Sequence, residues 1–166
     1  VVSAGNKAKN TSTFVPACCE DAIVVSSLKQ KEDEDGYAFD SSYSNFGSEI
    51  DICAPGTNIA SAYRGKYNGD SESWLAYMDG TSQAAPHVAA AVALFCLDSG
   101  YYNNGEPSYT ADNIEARLYK SAIDYGDKGK DELYGNGVLN LKNHSINIPY
   151  IASDCEVTYD KDYHNI

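Results

Sequence analysis

Apolar residues in this chain gather in short unbroken clusters separated by polar stretches, with little strict alternation. Val1-Val2 running into Ser3-Ala4-Gly5-Asn6 reads as the end of a buried strand entering a loop, and Lys7 to Thr13 as a polar loop. Ala22 to Leu28 is β-branched and continuously apolar, the pattern of a strand covered on both faces in a parallel sheet. The charge run Lys29 to Gly36 predicts a solvated hairpin or loop. Ile50 to Cys53 predicts a third strand stopped by Ala54-Pro55-Gly56, and Ile59 to Tyr63 a fourth, followed by a turn containing Gly and Asn. A small-residue helix follows from about Ser82 to Asp98. After a polar loop, Thr110 is an N-cap for a helix to about Ala122, with Ile114 and Leu118 on one face. Tyr134 to Leu141 predicts a turn and a short strand. Strands alternating with helices predict an α/β domain, a mostly parallel sheet flanked by helices, over residues 1–142. Residues 143–166 carry alternating apolar pieces and no clear element, and form a C-terminal extension. In such sheets ligands sit beyond the carboxyl ends of the strands, where Asn6 and Ser82 both fall.

The 166 residues suffice for a single core. With 24 acidic residues against 12 basic ones the formal net charge is −12. That balance argues against nucleic acid and anionic membrane surfaces as partners, since both call for a basic face. No apolar run reaches the roughly 18 to 20 residues of a membrane span, and no targeting signal is legible. The acidity suits a soluble extracellular or cell-surface protein. Five cysteines, Cys18 and Cys19 adjacent and the others scattered, form no zinc-type pair and predict one bridge or none. Cys96 reads as a small core residue.

The most specific chemistry lies in Gly80-Thr81-Ser82-Gln83-Ala84-Ala85-Pro86-His87-Val88. A helix N-terminus presents N–H groups and a positive dipole end to any negative charge developing beside the Ser82 hydroxyl. Acyl transfer needs that setting, because the attacked carbonyl becomes an oxyanion. The plain alternative is that Ser82 caps the helix. The nine-residue string resembles the nucleophile motif of the subtilisin-like serine proteases. Ser3-Ala4-Gly5-Asn6 is similar to that family's oxyanion-hole motif, and Tyr43-Ser44-Asn45-Phe46-Gly47 with Ile50 to Gly56 resembles its Ser-Asn-x-Gly and Asp-x-x-Ala-Pro-Gly block. Ile114 to Leu141 is similar to its last helix and closing strand. The resemblance covers about residues 1–142.

It implies a partial subtilisin-like fold and a serine-type endopeptidase acting on polypeptides. Ser82 would be the nucleophile, Asn6 the oxyanion donor, and Ser3, Ala4 and Gly5 one wall of the pocket for the residue before the scissile bond. Phe14 would narrow that pocket or pack on Pro16. Calcium, the one cofactor suggested, would be held by the Glu20 and Ala22 carbonyls and the Asp51 carboxylate; Asp51 reads equally as a hydrogen-bond acceptor. Gln83 stands where the family commonly has Met, which predicts lower sensitivity to peroxide. Asp79 reads as a turn residue.

The family's triad runs Asp, His, Ser along the chain. Neither the Asp-x-Gly turn nor the His-Gly-x-x-Val-Ala motif is present. Of the three histidines, His87 is five residues beyond Ser82, roughly 140° around the helix, and structural in the family, while His144 and His164 lie in the tail. The chain therefore reads as the C-terminal half of a catalytic domain, inactive alone, whose partner is the missing N-terminal half. Two alternatives stand beside that reading: a catalytically silent binding module of the same fold, and a truncated frame or cleaved chain.

Overall fold

A computed structural model describes residues 1–31, 36–65, 73–98, 102–103, 106–107 and 110–142. Strands β1 (Val2–Ser3), β2 (Val24–Gln30), β3 (Tyr37–Phe39) and β4 (Ile52–Pro55) form one sheet around β2. β1 and β4 run parallel to β2, and β3 runs antiparallel. Val25 pairs with both Ser3 and Ile52, so β1 and β4 flank β2. Leu28 pairs with both Phe39 and Pro55, which puts β3 on the β1 side farther along. β5 (Ile59–Gly65) and β6 (Ser73–Met78) make a separate antiparallel pair, and β7 (Tyr102–Asn103) and β8 (Glu106–Pro107) another. Two helices complete the described residues, α1 (Thr81–Asp98) and α2 (Ala111–Ser121).

Alternation along β2 divides the core. Val25, with Ile52 and Ala54 of β4, faces Ala84, Val88, Ala91 and Phe95 of α1 and Leu118 of α2. The α1 positions follow the i, i+4, i+7 spacing that lines one helical face. Fully burying side chains such as Val88 or Leu118 stabilises the fold by about 1.5–3 kcal/mol each. On the other face Val24 packs with Ala4, Ala17 and Ile50, and Leu28 with Phe39, Cys53 and Tyr134. Burial on both faces fits the run from Val24 to Leu28, all five residues of which are buried, Ser26 and Ser27 included.

The α/β architecture matches the sequence expectation, with local differences. β2 runs on to Gln30 because Lys29 and Gln30 pair with Ala38 and Tyr37. The charge run thus enters a hairpin, although Glu32 to Asp35 lie outside the described residues. β4 closes at Pro55, since a strand end tolerates a residue without an N–H. Thr11–Thr13 form a 3₁₀ turn capped by Asn10, where a plain loop was expected. β6 was not anticipated: Trp74, Leu75, Tyr77 and Met78 are all exposed, so it carries no apolar–polar alternation. Tyr134 to Leu141 makes isolated bridges, Val138 to both Cys53 and Ile123, and no strand. α2 begins as expected, with Thr110 Oγ1 accepting from the Asn113 N–H. The turn expected after β5, residues 143–166, His144, His164 and Cys155 lie outside the described residues.

Candidate functional site

Two chain segments far apart in sequence meet at the start of α1. The carboxamide oxygen of Asn6 accepts from the Thr81 N–H at 2.9 Å and from the Thr81 hydroxyl at 2.8 Å. Thr81 Oγ1 accepts in turn from the Gly5 N–H at 3.0 Å. With its oxygen engaged twice, Asn6 turns its Nδ2, a pure donor, toward Gly80. A Cβ built on Gly80 would stand 2.7 Å from Gln83 Oε1, 3.1 Å from Asn6 Nδ2 and 3.7 Å from Ser82 N, so both donors border one small region beside the exposed Ser82, which the Gln83 carboxamide oxygen also borders. The helix dipole points its positive end at the same place.

Gly80 is itself seated on the turn after β4. Its N–H donates to Gly56 O at 2.8 Å, and its carbonyl accepts from Gln83 and Ala84. Behind that turn is a hydrogen-bonded chain that includes buried groups: Thr57 donates to Asp40 Oδ2 at 2.6 Å, and Tyr43 OH bridges Thr57 Oγ1 and Ser27 Oγ. Burial opposes ionisation of Asp40, but hydrogen bonds from Ser42 and Thr57 and the Lys29 charge outweigh it and hold the carboxyl below its ordinary value. Sequence reasoning singled out neither Asp40 nor Thr57. Thr81 lay within the quoted motif, yet its bonds to Asn6 and Gly5 carried no signal of their own.

A cleft of about 350 Å³ lies beside Ser82, between the α1 residues Gln83, Pro86, His87 and Ala90 and the β5 residues Ile59 to Ser61. His87, the one histidine among the described residues, sits 2.9 Å through Nδ1 from Gln83 O. A carbonyl only accepts, so Nδ1 carries the proton and His87 is tied to its own helix. Gln83 Nε2 lies 3.9 Å from Met78 Sδ, so the chain's single methionine stands beside the position where the sequence lacks one. Asp79 Oδ1 accepts from the Asn58 N–H at 2.6 Å, as a turn residue does. Of the expected pocket wall, Ser3 and Gly5 are half-buried, whereas Ala4 is fully buried with its methyl in the core. Phe14 packs on that same cluster, under Gly5.

Cys18, Cys19, Cys53 and Cys96 are all free thiols. Burial pushes the thiol of the fully buried Cys53 up to about 12, which leaves it unreactive, and raises that of the half-buried Cys96.

Glu20, Ala22 and Asp51 line one cavity of about 320 Å³ with Cys18, Cys19, Glu49 and Lys130. The Lys130 ammonium sits 2.9 Å from Asp51 Oδ1, and Asp51 Oδ2 accepts from the Val24 N–H at 2.9 Å. Glu49 is engaged by the Thr11 hydroxyl at 2.7 Å, a bond that holds its carboxyl below the ordinary value. Among the described residues no three His, Cys, Asp or Glu side chains form a group suited to a metal. A calcium ion at Asp51 would have to displace Lys130. Calcium is therefore expected to raise the melting temperature of a Lys130→Met variant by several degrees, and that of the natural protein much less, in a thermal-shift titration.

The signature of the subtilase family matches residues 1–137. The chain is 29% identical over 154 residues to "Minor extracellular protease Epr" of Bacillus subtilis, covering 93% of this chain and 21% of that protein. It is 32% identical over 142 residues to "Subtilisin BL" of Lederbergia lenta, covering 86% of this chain and 44% of that one. Among solved structures, a lanthipeptide protease superposes with a TM-score of 0.63 at 29% identity over 83% of this chain and 47% of its own. Fervidolysin of Fervidobacterium pennivorans, a keratinolytic enzyme related to subtilisin, gives 0.63 at 27% identity over 84% and 21%. The chain thus spans less than half the length of each of these relatives. With its signature matched over residues 1–137 on an α/β fold shared with subtilisin-like structures, the chain belongs to the subtilase family.

Proposed function

We propose that this chain supplies the nucleophile and the oxyanion hole of a serine-type endopeptidase. Ser82 attacks the peptide carbonyl, and Asn6 Nδ2 with the Ser82 N–H receives the oxyanion. The observation that carries this reading is the double hydrogen bond from Thr81 to the Asn6 carboxamide oxygen, which leaves the amide free to donate beside Ser82.

Serine alone is a weak nucleophile and requires a base. His87 does not serve: it lies on the same helix as Ser82, five residues on and so roughly 140° around it, and its Nδ1–H bond to Gln83 O holds the ring against its own turn. The histidine and its orienting aspartate come from a segment other than residues 1–142, the N-terminal half of the catalytic domain. The polypeptide of residues 1–166 alone then has little or no activity. The substrate is a polypeptide lying in the cleft between α1 and β5. Relatives named as extracellular proteases support a site of action outside the cell.

A fluorophosphonate probe tests the reading. It is expected to label Ser82 in the protein containing both halves, and to leave the isolated chain unlabelled. Absence of labelling in the two-half protein would instead make the domain a silent binding module.

A further inference from the structure

Asn45 is fully buried, and its motif has no role in the mechanism above. It makes four hydrogen bonds to the loop that carries Asn6. Its N–H donates to Gly5 O at 2.9 Å, and its Nδ2 donates to Ala4 O at 2.9 Å. Its Oδ1 accepts from the N–H groups of Lys7 and Lys9, at 3.0 and 3.1 Å. These partners bracket Asn6 on both sides. Gly5 makes the approach possible: its φ is +103°, and a Cβ there would stand 2.5 Å from Asn45 Nδ2.

We propose that Asn45 is a positioning residue, whose carboxamide clamps the Ala4–Lys9 loop so that Asn6 Nδ2 is held over the site beside Ser82. The reason is physical. Asn6 is exposed and follows a two-residue strand, so β1 gives its loop little restraint. Thr81 holds the Asn6 side chain from the helix side, but the backbone beneath needs its own anchor. The carboxamide donates once and accepts twice, which an aspartate or a leucine of similar size cannot reproduce. Displacement of a catalytic group by about 1 Å costs up to about a hundredfold in rate. This assignment rests on the protease reading above.

The test is a double-mutant cycle in the active two-half protein. Asn45→Asp keeps the volume and both acceptor bonds but loses the donor to Ala4 O. It is expected to lower kcat between about tenfold and a hundredfold with KM little changed. In an Asn6→Ala background the same substitution is expected to cost almost nothing, because the side-chain donor that Asn45 positions is already gone. Equal losses in both backgrounds overturn the assignment. Unfolding of both Asn45→Asp and the milder Asn45→Ser also overturns it, by showing a purely structural residue. No hydrolysis by the natural two-half protein overturns the protease reading itself, whereas additive losses in an active protein sink only the role of Asn45.

Discussion

Replacing Ser82 by alanine in the active two-half protein is expected to reduce kcat by about 10⁶, with KM nearly unchanged. The size of that loss is the one established for subtilisin, a relative, and the geometry here supplies the reason it should carry over. Ser82 is exposed at the start of α1, near the Asn6 Nδ2 that Thr81 orients. Removing Oγ leaves the donors, the cleft and the core in place, because Ser82 packs in none of the buried clusters. Stability should therefore change by less than about 0.5 kcal/mol, as for surface positions generally. The pairing of a very large kinetic effect with a negligible thermodynamic one distinguishes a nucleophile from a helix cap, whose loss costs about 1 kcal/mol. Steady-state kinetics and a denaturant melt of the same variant decide between the two. A variant that retains a tenth of the natural kcat would end the case for Ser82.

What was legible in the sequence divides along physical lines. The Gly80 to Val88 string was visible because a helix start, a nucleophile and a proline are local features, readable without knowing the fold. Asn6 was visible for the same reason, as a polar residue directly after an apolar strand. The Thr81–Asn6–Gly5 closure was not, since it joins residues 75 and 76 positions apart and no periodicity reports it. Lys130 was equally silent: it lies 79 positions from Asp51, in a polar stretch where a lysine is unremarkable, yet it changes what the expected calcium would have to do. β6 escaped because its large apolar side chains, Trp74, Leu75, Tyr77 and Met78, are exposed on both faces and only the small Ala76 is buried, so the rule that links alternation to strands had nothing to act on. Asn45 was quoted as part of a motif, but only three dimensions reveal that its four partners surround Asn6.

Gly56→Ala is expected to have the second large effect, this time on the fold. Gly56 is buried under the start of α1, where its carbonyl accepts from the Gly80 N–H. A Cβ there would lie 2.2 Å from Ser27 Oγ, 2.7 Å from Gly80 O and 3.1 Å from the Ala84 methyl. The first clash is with a side chain that could rotate only by leaving Tyr43 OH, and the second is with backbone. Backbone cannot move alone: shifting Gly80 drags Thr81 from Asn6 and Ser82 from its place beside the two donors. Overpacking of a core commonly costs about 1–3 kcal/mol, and two simultaneous contacts this short put Gly56→Ala at or above the upper end. Denaturant melts should show that loss, accompanied by a fall in turnover of any protein that still folds. Adding Ser27→Ala separates the two contacts. It removes the 2.2 Å clash and should recover part of the stability, but it leaves the Gly80 carbonyl in place, so turnover should stay low. Full recovery of both in the double variant would mean that only the Ser27 side chain reads position 56, and that the Gly56–Gly80 contact does not set the position of Ser82.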